Sequence, residues 1–201
     1  MDLFTQELGW IQEFSTHFPI KSYRLGNKTF HAPAEALADI DVERLMEADV
    51  ALYRFIHSQK NHYLGHFLAM LYTVKGEVLT DGVIDTNAAL LSKIPAHEAI
   101  AHIRSFIGSF TQLRKVCSTL FPNDFDSAQS DGSKSHPERS RGAGDPSRAW
   151  QKMLFELSNT PGYPGMHLAK QARAWEALPY FDAEQLKISQ QIDRLKNTGT
   201  K

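Results

Sequence analysis

Apolar residues recur at every third or fourth position through two neighbouring segments, and this spacing restricts the fold more than any other feature. Because an α-helix turns about 100° per residue, residues with this spacing share one helical face. The pattern therefore predicts two successive helices, over residues 41–59 and 61–72. Asp49 is the charged residue that interrupts the first apolar stripe. The apolar positions are Val42, Leu45, Met46, Leu52, Tyr53 and Ile56, then Tyr63, Leu64, Phe67, Leu68, Leu71 and Tyr72.

Similar spacing elsewhere predicts further helices, which begin near Leu3, Pro95, Ser147, His167 and Asp182. We expect the helix from His167 to stop at Pro179, since proline disrupts a helix interior. Capping side chains are available at Asp39 or Asp41 for the first long helix and at Asn61 for the next. Residues 75–87 are interpreted as a loop with a brief strand.

A Gly26-Asn27 pair separates two short extended stretches, residues 23–25 and 29–31, as in a β-hairpin with a tight turn. Residues 126–146 are rich in Ser, Gly and Asp and predict a flexible insertion loop. The expected fold is mainly α: one domain of residues 1–125 and 147–201, a bundle of about six helices with one short N-terminal β-hairpin.

The charge balance and the cysteine content argue against several classes of protein. The chain has 22 Lys plus Arg against 23 Asp plus Glu, so nothing favours a nucleic acid or an anionic membrane as partner. No stretch approaches the ~18 consecutive apolar residues of a membrane-spanning helix, and the first residues do not resemble a secretory signal. Cys117 is the single cysteine, which excludes an intramolecular disulfide and fits a reducing cytoplasm. We expect a soluble, cytoplasmic protein.

The segment HEAIAH, residues 97–102, resembles the zinc-hydrolase motif but is one residue longer. Five residues of helix rotate a side chain by roughly 140°, so His97 and His102 should diverge. Glu98 and His102 are four residues apart, and we expect them to form a surface pair.

His62 and His66 are also four residues apart and share one helical face, so both could bind one metal ion such as zinc. A stable site needs a third protein ligand. The candidates that bundle packing could bring close are His57, His97, His102 and Asp49. The alternative interpretation is that His62 and His66 are boundary residues of a crowded helix.

Other catalytic motifs are not found in the sequence. It contains no nucleophile elbow and no phosphate-binding glycine loop. The run DFDSAQSDG has Ala128 and Ser130 where a calcium loop needs oxygen ligands and places its glycine wrongly. Cys117 lies between apolar residues and is interpreted as a packing residue. No catalytic or cofactor-binding residue is predicted from these patterns.

Two helices resemble a family pattern. The matching residues of the first part are Thr29, Phe30, Pro33, Asp39, Ile40, Glu43, Ala48 and Asp49, and those of the second are Leu64, Phe67, Ala69, Leu71 and Tyr72. The pattern is similar to that of small proteins from tail modules of phages and prophage-like elements of Bacteroidota-type bacteria. The later runs IRSFIGSFTQL, LFPNDF and AWQKMLFELS resemble later helices of such proteins. The resemblance implies a tail-assembly or tail-chaperone role.

The sequence thus predicts a non-enzymatic helical protein that acts through contacts with a protein partner, such as another component of a phage-like assembly. The expected mechanism is docking of a helix or surface, with residues 126–146 ordering on the partner. The alternative is a metal-dependent helical-bundle enzyme that uses His62 and His66. A weaker third hypothesis is a regulatory module that binds a small ligand. The oligomeric state is left open.

Overall fold

The computed structural model describes residues 15–121 and 146–198, and these residues are mainly α-helical. This confirms the predicted fold class. Within the two ranges there are seven helices, compared with about six expected for the whole chain. The helix predicted near Leu3 lies outside the described residues, as does all of the predicted loop except Pro146. The helices are α1 Val42–Ser58, α2 Asn61–Leu71, α3 Asp81–Leu91, α4 Ala96–Val116, α5 Ser147–Ser158, α6 Met166–Gln171 and α7 Ala174–Thr198.

The predicted hairpin is confirmed. Strands β1 Ser22–Leu25 and β2 Lys28–His31 pair antiparallel, with Tyr23 opposite Phe30. Gly26 begins the turn with a φ of 61°, in the left-handed region that glycine enters without steric cost. A third strand, β3 Thr73–Val74, pairs antiparallel with β2. No strand lies within residues 75–87, where a brief one was expected; β3 precedes that range and joins the hairpin to the end of α2.

Helices α1, α2 and α3 form an antiparallel meander. The Arg44 guanidinium, near the start of α1, donates to the backbone oxygens of Met70 and Leu71 at the end of α2, over 2.7–3.2 Å. These bonds satisfy carbonyls that a helix end leaves without an intrahelical partner. Gly65 of α2 lies so close to α3 that an added Cβ would be 2.4 Å from the Ala88 oxygen.

Two predictions about this meander need correction. Helix α3 includes residues 81–87, the second half of the segment that was interpreted as a loop. Its buried residues are Asn87, Ala88 and Leu91, so only two of them are apolar and no helical period is visible. Asn61 is the first residue of α2 and makes no capping bond. The Asp41 cap is confirmed, because its carboxylate accepts from the Arg44 N–H at 2.7 Å.

Pro179 does not end a helix, contrary to the prediction. Helix α7 runs through it for 25 residues. A proline inside a helix costs about 3 kcal/mol, and burial of Ala177, Leu178 and Phe181 beside it offsets that cost. Asp182 therefore lies within α7 and does not cap a new helix. Its buried carboxylate accepts from the Leu120 N–H at 2.7 Å.

The core lies where α4 crosses α2 and where α5 to α7 close over α1. The rings of Phe67 and Phe106 meet edge to face, with centroids 5.2 Å apart. The two described ranges are joined by backbone bonds, from the Val42 N–H to the Ala172 oxygen and from the Ala174 N–H to the Ile40 oxygen, each 2.9 Å. The buried apolar residues of both ranges form one cluster.

Candidate functional site

His62 and His66 lie one turn apart on α2 and open onto the same cleft. The cleft has a volume of about 150 Å³ and is also lined by Glu47, Arg54 and Tyr63. The two imidazole rings are nearly perpendicular, with centroids 6.3 Å apart. The predicted shared face is therefore observed. Burial raises the pKa of the Glu47 carboxyl above its usual value, and Glu43 adds to this effect.

None of the residues suggested from the sequence supplies the third ligand that a metal site would need. Asp49 is bonded to Trp150, and His57 contacts its own helix through the Tyr53 oxygen. Within residues 15–121 and 146–198, no three His, Cys, Asp or Glu side chains are placed to hold one metal ion. The nearest acid to His66 is the exposed Asp85, whose Oδ1 lies 3.4 Å from Nε2.

The histidines of HEAIAH diverge as predicted. The His97 side chain is 82% exposed, whereas His102 is fully buried in the core. The predicted surface pair of Glu98 with His102 is wrong, because a buried imidazole is not available at the surface. Instead Tyr23 lies between them: its hydroxyl donates to Glu98 Oε2 at 2.9 Å and lies 2.6 Å from His102 Nε2.

His102 is held from both sides. Its Nδ1 lies 3.1 Å from the hydroxyl of Tyr72, which donates to the Ile20 oxygen at 2.7 Å. A neutral imidazole carries one N–H. Because the Tyr23 hydroxyl proton goes to Glu98, the Tyr23 oxygen can accept from Nε2–H of His102. The Tyr72 hydroxyl lies 3.1 Å from Nδ1 and 3.4 Å from Nε2.

Burial controls the protonation of this cluster. It lowers the pKa of His102 to about 4, although the nearby Glu98 opposes the shift. Burial also raises the pKa of the Tyr23 and Tyr72 hydroxyls, and Glu98 adds to both shifts. All three groups are therefore neutral near pH 7. The cluster joins the hairpin, α2 and α4, and two of its members, His102 and Tyr72, are fully buried.

Helix α7 offers a different kind of site, because its second half leaves the body of the protein. Every side chain from Leu186 to Lys196 is exposed. Phe181, Ile188, Ile192 and Leu195 follow one another at spacings of seven, four and three residues, which keeps them on one helical face. Phe181 belongs to the core, whereas the other three are 46–72% exposed. We call Ile188, Ile192 and Leu195 the α7 stripe.

Uncharged residues flank the α7 stripe, and basic residues lie near its far end. Ser189 and Gln191 stand on either side of it. The charged residues along the same half of the helix are Lys187, Asp193, Arg194 and Lys196, and Lys187 is paired with Glu184 at 2.7 Å. Apolar side chains bounded by polar ones are typical of a face that packs against another helix. The α7 stripe is therefore a candidate docking surface.

Sequence reasoning identified α7 as amphipathic but missed the stripe, because it placed a break at Pro179 and so separated the exposed residues from Phe181. It also missed the Tyr23 and Tyr72 partners of His102. Little in the sequence pointed to these contacts, since Tyr23 only begins a predicted strand and Tyr72 only ends a predicted helix.

Comparison of this chain with protein-family models, curated proteins and solved structures finds no match. Within the described part of the chain, none of the helices combines the length and the apolar character needed to cross a bilayer.

Proposed function

We propose that this chain is a non-enzymatic, cytoplasmic protein that acts through contacts with a protein partner, as an assembly or accessory component of a phage-like tail. The observation that carries the proposal is the α7 stripe, in which Ile188, Ile192 and Leu195 continue the face of Phe181 beyond the body. Exposed apolar side chains in a row favour helix-to-helix docking.

The chemistry of α7 defines the partner. It should present an amphipathic helix whose apolar face covers the α7 stripe. The phage-tail role comes from the sequence resemblance, and the docking mode comes from α7.

The test measures binding to proteins encoded beside this one in its source genome, each purified and titrated separately. Ile188→Asp should weaken a true partner at least about tenfold, as expected for an apolar anchor at an interface. Gln190→Asp is the matched control, since residue 190 lies on the opposite face of α7 and adds the same charge. Equal binding by both variants would refute docking at the α7 stripe.

A metal-dependent activity at His62 and His66 is the second candidate, because both side chains open onto one cleft beside Glu47. The test is metal content by mass spectrometry on untagged protein purified without chelator. About one zinc, iron or manganese ion per chain, lost in His62→Ala with the fold intact, would favour it.

A further inference from the structure

We infer that the cleft between the first turn of α1 and the loop after β3 binds a small organic anion, namely a carboxylate with an apolar chain. We call it the α1–β3 cleft. It shares no lining residue with the cleft of His62 and His66, and the inference does not depend on the proposed function. Its volume of about 450 Å³ lies within the range of roughly 300–1,000 Å³ that small-molecule sites occupy.

One wall of the α1–β3 cleft is the first turn of α1, where Arg44 is fixed in position. Its Nε and Nη2 donate to the Met70 and Leu71 oxygens. A guanidinium has five N–H donors, and the two of Nη1 make no hydrogen bond to any residue that the structure describes. Beside it, Glu43 Oε1 is paired with Lys170 Nζ on α6 at 2.6 Å. Because these side chains are already held, a ligand would order few groups when it binds.

A second wall of the cleft is the turn of residues 74–77, which is closed by a backbone hydrogen bond of 3.1 Å between its first and last residues. The carboxylate of Glu77 anchors this turn to the body of the protein. It accepts from Lys28 Nζ at 2.6 Å and from the amide of the buried Asn87 at 2.8 Å. The anchored turn holds Lys75 at the edge of the cleft.

The charges around the cleft leave one cation without a counter-charge. The acids of residues 43 and 77 have the lysine partners named above, and Asp41 accepts from the backbone N–H of Arg44. Burial has the largest effect on the pKa of Arg44 and lowers it, whereas the charge of Asp41 opposes this shift. Lys75 has no ion-pair partner within residues 15–121 and 146–198. A bound anion would supply the missing counter-charge, with the guanidinium of Arg44 as a second donor.

The surroundings favour a carboxylate over a phosphate dianion. The three acids that line the cleft, at residues 41, 43 and 77, would repel a second negative charge. Val78 is 77% exposed and lines the cleft, so an apolar chain placed against it would be removed from water together with it. The ligand class is therefore an amphipathic monocarboxylate. The apolar lining residues are Val74, Val78 and Leu79.

The experiment titrates the full chain with phenylbutanoate at pH 7 and follows the backbone amide signals by NMR. Saturable shifts are expected at residues 41–44 and 73–79, with a Kd of about 1 mM or lower. Phenylbutanamide, which has the same shape without the charge, should bind at least about threefold more weakly. Binding of the amide or of inorganic phosphate as tight as that of phenylbutanoate would overturn the inference.

Two exposed side chains of the cleft can be changed without touching the core. Lys75→Gln should weaken binding of phenylbutanoate at least about threefold and leave binding of phenylbutanamide unchanged. The matched control is Lys93→Gln, since Lys93 is also exposed but does not line the cleft. Val78→Ser should weaken both ligands, whereas Val116→Ser, at an exposed valine outside the cleft, should not.

The same titrations contain the outcomes that would overturn the site. Equal binding of phenylbutanoate by wild type and Lys75→Gln would show that the lysine is not its counter-charge. Shifts confined to residues 62–66 would place the carboxylate in the other cleft. The absence of any saturable shift at residues 41–44 and 73–79 would also reject the inference.

Discussion

The indole N–H of Trp150 donates a hydrogen bond to Oδ2 of Asp49 across 2.8 Å, and this bond links α5 to α1. Asp49 is the residue that interrupts the apolar stripe of α1. Burial raises the pKa of its carboxyl, while the Trp150 bond and the charge of Arg114 lower it. A polar residue on the inward face of α1 therefore has a specific partner 101 positions away.

Trp150→Phe should destabilise the protein by about 1–3 kcal/mol, because it removes the donor and leaves a buried carboxyl group without its partner. Asp49→Asn should cost less, since its side-chain oxygen still accepts the indole bond. Urea unfolding measures both. A Trp150→Phe variant that is no less stable than Asp49→Asn would contradict this account.

Gly65→Ala should destabilise the protein by about 1–3 kcal/mol, the usual cost of overpacking. The added Cβ would lie 2.4 Å from the backbone oxygen of Ala88, so α2 and α3 would have to separate. The matched control is Gly82→Ala, in the first turn of α3, where a Cβ meets nothing within 4 Å. Thermal unfolding should place the control at or above wild type, because alanine favours a helix.

Stability should fall on acidification because of His102. Its pKa is about 4 in the folded protein and 6.5 in the unfolded chain, so between these values the unfolded state binds more protons. The stability present above pH 6.5 is lost as the pH falls toward 4, by about 2 kcal/mol at pH 5. The titratable groups around the imidazole are the hydroxyls of Tyr23 and Tyr72 and the carboxylate of Glu98.

The measurement is the free energy of unfolding at pH 7 and pH 5 for wild type, His102→Gln and His97→Gln. His102→Gln should lose less stability between the two pH values, although it starts from a lower value. His97→Gln should follow wild type, since the His97 side chain is exposed. The same pH dependence in wild type and His102→Gln would count against a neutral, buried His102.

Asn87→Ala should raise the pKa of Glu77 and destabilise the join between β2 and α3. Asn87 is fully buried, donates to Glu77 Oε2 and accepts from Lys28 Nζ, each at 2.8 Å. The bonds from Asn87 and Lys28 lower the pKa of Glu77. Titration of the Glu77 carboxyl by NMR checks the first effect, and an unmoved pKa would show that Lys28 alone holds it. Thr86→Ala, at the exposed neighbouring position, is the control.

The parts of the fold that were predictable have local causes. Helices α1 and α2 were predictable because the apolar face of each lies within one continuous stretch of chain. The hairpin was predictable because the Gly26-Asn27 turn directly connects the two strands that pair. Helix α3 was not predictable, because it packs closely against Gly65 of α2 and has few buried apolar residues of its own. For the candidate sites, the common face of His62 and His66 was predictable, and the surroundings of His102 were not.

The sequence by itself determined the mainly helical fold, the turn of the hairpin and the apolar faces of α1 and α2, because these depend on the pattern of residues within a short stretch of chain. The tertiary structure decided that α7 continues through Pro179, that His102 is neutral and that Asp49 has a partner in Trp150. Each of these depends on burial and on hydrogen bonds that involve residues far along the chain. Burial and hydrogen bonding change the free energy of folding by as much as local backbone preferences do.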